Sequence, residues 1–164
     1  MVTTQRALYV SPSRTLVAEA TPGLILQSSV GRVTWEEFEP VIQQVHTSSV
    51  AGPRYVFLFR LAVASPRDLP DEEFRKRVGD SAREHTDRIA AFAYVIPYQG
   101  FLSATIHAMI AGITTVSRTP HPERAFTAAL PAAEWLGRQF RLPSSPAEVV
   151  DRLDALTELH QREP

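Results

Sequence analysis

Cysteine is absent from these 164 residues. Disulfides, thiolate nucleophiles and cysteine-ligated zinc are excluded with it. Lysine is nearly absent as well: Lys76 stands alone, and arginine supplies the other basic side chains. The formal net charge is −1, so the chain carries no broad basic footprint for nucleic acid or an anionic membrane. No apolar run approaches the roughly 20 residues of a membrane span. The first ten residues, Met1 to Val10, hold no apolar signal core, and a cytoplasmic location is the expectation. The seven glycines never cluster into a phosphate-binding loop. There is no Gly-x-Ser-x-Gly nucleophile elbow. None of the five histidines (His46, His85, His107, His121 and His160) has the His-x-x-x-His spacing of a helical metal site. No cofactor is expected.

What is present suits a single globular domain: 44% hydrophobic and 21% charged residues. Leu16–Ala20 and Gly23–Val30 read as short strands, joined by the Thr21-Pro-Gly23 turn into a hairpin. Val33-Thr-Trp-Glu-Glu-Phe38 is a strong helix start. Thr34 and Glu37 have capping-box spacing, and Val33 and Phe38 can form a hydrophobic staple. Pro40 predicts a kink or a tight first turn in that helix. After the loop Ala51-Gly-Pro53, Tyr55–Val63 is almost continuously apolar, as a strand covered on both faces should be. Arg60 interrupts it, and its guanidinium is expected in solvent near the strand end.

A helix follows over Pro70–Arg88, with Phe74, Val78, Ala82 and His85 on one narrow stripe. Ile89–Pro97 is a second buried-strand candidate. Leu102, Ile106, Met109, Ile113 and Val116 then fit one face of a helix over Gly100–Ser117. The alternative ends that helix at Gly112 and makes Ile113–Ser117 a strand. Thr119-Pro-His-Pro122 breaks the chain, with His121 expected to be exposed, and Arg124–Phe126 fits a short edge strand. Thr127 begins another helix, with Ala132, Ala133, Leu136 and Phe140 inward. Pro146–His160 forms an amphipathic tail helix. Strand and helix alternate through the second half, which argues for a mixed or mostly parallel sheet.

This order of elements resembles the STAS fold of bacterial anti-sigma-factor antagonists, and the STAS-like proteins common in myxobacteria. Three local stretches carry the likeness: Gly31-Arg-Val-Thr-Trp-Glu-Glu-Phe38, Gln99-Gly-Phe101, and Arg124-Ala-Phe126 with Trp135-Leu136 behind it. It covers roughly Leu16 to Phe140. It implies an α/β domain over 1–141, built on a four- to five-stranded mixed sheet with helices against it. The tail helix over 142–164 is either part of that domain or an extension.

The resemblance also implies a non-enzymatic regulatory or scaffolding module, acting by protein–protein contact in a bacterial signalling pathway. A second copy of the chain is one candidate partner. In the family, a serine at the N-terminus of the helix after the third strand is phosphorylated and selects the partner. The matching position here reads Ala64-Ser65-Pro66, followed by Asp68, Asp71, Glu72 and Glu73. A phosphate on Ser65 would meet several carboxylates.

Ser65, Arg67, Asp68, Tyr98 and Gln99 are therefore the candidate contact or switch surface. Asp68 and Asp71 also have the spacing of helix caps. The binding-protein alternative puts a nucleotide or lipid in a pocket at the C-terminal strand ends, near Ser65, Arg67, Tyr98 and Gln99. The tail face of Val149, Leu153 and Leu156 either packs back on the sheet or covers a partner.

Overall fold

The computed structural model describes residues 6–47, 52–118 and 120–162. Ala51 and Thr119, each read above as part of a loop, and the Val116 side chain lie outside what is described. Among the described residues, six strands form one mixed sheet in sequential order: β1 (Ala7–Val10), β2 (Leu16–Thr21), β3 (Leu24–Val30), β4 (Tyr55–Ala62), β5 (Ile89–Val95) and β6 (Glu123–Phe126). The first three run as an antiparallel meander, and β3 to β6 are parallel. The expected α/β class is correct, but the sheet has one strand more than the four to five expected. The extra strand is β1, a short and largely exposed edge with too few residues to show a period.

The β2–β3 corner is the Pro22-Gly23 turn. Gly23 takes φ +81°, which the third position of a type II turn requires and L side chains rarely adopt. The helices are α1 (Trp35–Thr47), α2 (Glu72–Glu84), α3 (Phe101–Ser117), α4 (Ala129–Gln139) and α5 (Pro146–Glu158). The capping box of α1 is present: Thr34 N–H donates to Glu37, and Glu37 N–H donates to Thr34 Oγ1. Val33 and Phe38 are both buried, as a staple requires, and α1 runs on through Pro40. The helix predicted over Pro70–Arg88 is shorter, because Asp71 caps α2 and a separate 3-10 turn spans Thr86–Arg88. Helix α3 continues past Gly112 to Ser117, so the strand alternative there is overturned. Helix α4 starts at Ala129, two residues after Thr127. None of the described helices is long and apolar enough to cross a membrane.

Strand alternation sorts the side chains onto two faces. One face gathers Leu26, Val56, Leu58, Ala93 and Val95 under α4 and α5. The other gathers Leu16, Ile25, Phe57, Phe59 and Ile89 under α1 and α2, with Ile96, Ile106 and Ile110 continuing it under α3. The tail is thus part of the folded unit. Val149 and Leu153 are 0% exposed and Leu156 1%, in contact with their own sheet rather than offered to a partner. Arg60 corrects another expectation. Its position in β4 points it to the α5 face, where it pairs with Asp154 at 2.7 Å and donates to Thr157 Oγ1 at 2.9 Å.

Candidate functional site

The stretch that the sequence singled out is occupied by folding work. The Asp68 carboxylate accepts from the N–H groups of Ala64 and Ser65, each at 3.1 Å, and closes the turn after β4. Asp71 caps α2 by accepting from Phe74 N–H at 2.8 Å, and it pairs with Arg32 at 2.9 Å. The Phe74 bond and the Arg32 contact hold its carboxyl below the ordinary aspartate value. Ser65 starts the Pro66–Asp68 turn in extended conformation, and Arg67 is exposed. Tyr98 reaches back from beyond β5, its hydroxyl accepting from Val63 N–H at 3.0 Å. Gln99 is exposed beside Gly100, which opens α3 at φ +77°. These candidate residues share one end of the sheet, and none of them lines the cavity described below.

His46 and His85 have structural partners. His85 is buried, and its Nδ1 meets the Ser81 carbonyl at 2.9 Å. A carbonyl only accepts, so Nδ1 carries the proton. His85 Nε2 lies 3.0 Å from His46 Nδ1. No group of three or more metal-ligating side chains exists among the described residues. His121 corrects its expectation of exposure: it is half-buried, edge-on to Phe92 at 6.0 Å. Burial, with the Arg54 charge second, lowers its pKa.

The built cavity lies elsewhere. Helices α2 and α3 pack on each other. Between that pair, α1 and the sheet remains a space of about 120 Å³. Its floor is aromatic. Phe57 and Phe59 alternate along β4, and Phe92 and Tyr94 along β5, so all four rings project from one face. Neighbouring centroids lie 5.2–6.4 Å apart, mostly in stacked geometry. Phe38 and Ile42 of α1, Phe74, Val78 and Ala82 of α2, and Met109, Ile110 and Ile113 of α3 form the walls. Phe74, Val78 and Ile113 are half-buried, so these walls border solvent.

Polar groups stand at both ends of this slot. Gln27 and Ser29 of β3 mark one, and Thr114, Ser117 and Glu123 the other. The strand register aligns Gln27 with Phe59 and Tyr94, and Phe92 with Glu123. With β3 and β6 three strand spacings apart, the polar ends are separated by roughly 14 Å. Burial raises the Glu123 pKa, although the Thr114 hydroxyl opposes the shift. Burial, and the Glu123 charge second, push Tyr94 well above its ordinary value.

The sequence carried traces of this site that composition and motif reading passed over. The aromatic pairs Phe57/Phe59 and Phe92/Tyr94 sit at strand period. Gln27-Ser-Ser29 is a polar run inside an otherwise apolar strand, and Glu123 opens an edge strand at the same sheet face.

Compared with protein-family models, with curated proteins and with solved structures, the chain gives no match. The functional reading therefore stands on this geometry.

Proposed function

We propose that this chain is a non-enzymatic, STAS-like regulatory module whose aromatic cavity binds a small apolar molecule. The cavity between the sheet and the α2–α3 pair carries the reading. Concave, mostly apolar spaces with a few placed polar groups are what ligand sites look like. The STAS-like frame is supported by the leading hairpin, the sequential parallel strands and the three helices stacked on one sheet face. The non-enzymatic part is supported by the engagement of Asp68, Asp71 and His85 in caps and hydrogen bonds.

Benzene and indole test the cavity directly. A ligand that binds only the folded state adds about 2.7 kcal/mol at 100 times its Kd, or roughly 5–10 °C in Tm for a chain of this size. Ala82→Phe, which fills the space from α2, is expected to abolish the shift. A flat melting temperature with both ligands sinks the reading.

The protein–protein reading rests on a different observation. Helix α3 has no Asp, Glu, Lys or Arg, and it exposes Phe101, Ala104, Ala108, Ala111 and Gly112 together with His107 and Thr115. Phe101 is 78% exposed. Such a face suits a second copy of this chain. Light scattering should give a dimeric mass, returned to monomer by Ala108→Glu; a monomer at every concentration sets this reading aside.

A further inference from the structure

The chemistry of the cavity ends narrows the ligand class, an inference that rests on the cavity being a binding site. Gln27 is 5% exposed, and its Oε1 is buried without a hydrogen-bond partner among the described residues. A buried acceptor left unmade is unfavourable, so the slot holds a place for a donor. At the other end the Thr114 hydroxyl lies 3.0 Å from the Ile110 carbonyl and 2.8 and 2.7 Å from the Glu123 carboxyl oxygens. One hydroxyl has one proton to give. That proton is shared between the Ile110 carbonyl and the Glu123 carboxyl.

Among the described residues no arginine, lysine or histidine lines the space, so none of them would compensate a phosphate or carboxylate. Size sets a further bound. A cavity of about 120 Å³ is of the order of the engineered, Leu/Ile/Phe-lined cavity of about 150 Å³ that admits benzene. The stacked floor of Phe59, Phe92 and Tyr94 favours a flat ring.

We infer that the cavity takes a neutral, single-ring aromatic molecule bearing one hydroxyl or N–H donor, which Gln27 Oε1 accepts.

The test is calorimetric titration of the full chain with phenol, toluene, anisole and benzoate. Phenol should bind about tenfold more tightly than toluene or anisole, the gain from one neutral hydrogen bond. Benzoate should not bind measurably. Gln27→Leu should abolish the preference for phenol over toluene. The wild-type comparison of phenol with anisole needs no variant, so the inference stays testable if Gln27→Leu fails to fold. Equal binding of phenol and toluene, tighter binding of anisole, or benzoate binding as well as phenol overturns the donor-bearing neutral class while leaving the cavity reading intact. Binding of none of the four overturns both.

Discussion

Replacing Arg152 with alanine is expected to cost about 3 kcal/mol or more, because it strands a buried carboxylate. Glu19 lies in the middle of β2 with its side chain 0% exposed. Arg152 of α5 spans it: Nε donates to Glu19 Oε1 at 2.7 Å, and a second nitrogen engages the same oxygen. The remaining guanidinium contacts are Ser144 at 2.9 Å and Thr21 at 3.3 Å. Arg6 pairs with Glu19 Oε2, but its side chain is 56% exposed, so it screens the charge less than Arg152 does. The comparison that isolates the mechanism is the double variant Glu19→Leu/Arg152→Met. Removing both charges removes the desolvation along with the attraction, and the double variant should lie within about 1 kcal/mol of wild type. Urea unfolding of the three proteins checks this. A single variant as stable as wild type would show that Glu19 is already solvated or neutralised by other means.

That ion pair shows why some of this fold was legible in the sequence and some was not. Local signals were readable because they act over a few residues. Thr34 and Glu37 announced the start of α1, Pro22-Gly23 the hairpin corner, and the continuous apolar run of β4 a strand covered on both faces. Arg60 and Glu19 were not readable, because what satisfies them lies far along the chain, on α5. A charge inside a strand looks like a solvent-facing end until its partner is known.

The candidate site followed the same division. Ser65, Asp68 and Asp71 stood out because caps and catalytic groups use the same side chains at the same spacings. The bonds that Asp68 and Asp71 accept from neighbouring N–H groups decide for the cap. The cavity was hidden because its parts come from β3, β4, β5, β6 and three helices, and only the sheet register brings Gln27 and Glu123 to one slot.

The second large effect is expected in the tail. Leu153→Ala should cost about 2–5 kcal/mol, the range for emptying a fully buried leucine site. Were α5 an arm held in reserve for a partner, the same change would fall within about 0.5 kcal/mol, as surface substitutions do. The prediction follows from position. Leu153 is 0% exposed, within the cluster of Leu26, Leu58 and Leu136. The end of the helix is pinned as well. His160 joins the Arg14 carbonyl and Ser28, whose hydroxyl meets Thr157 at 3.1 Å. Ending the chain at Arg141 is the stronger form of the experiment. It uncovers Leu26 and Leu58 and leaves both Glu19 and Arg60 without their α5 partners. Exposed apolar surface and stranded charge then act together, and the shortened chain should lose cooperative thermal unfolding altogether. A cooperative transition retained after that truncation would mean that β1 to α4 fold alone and that α5 is an accessory. Because Arg60 and Glu19 are charges whose partners lie on α5, we expect the opposite.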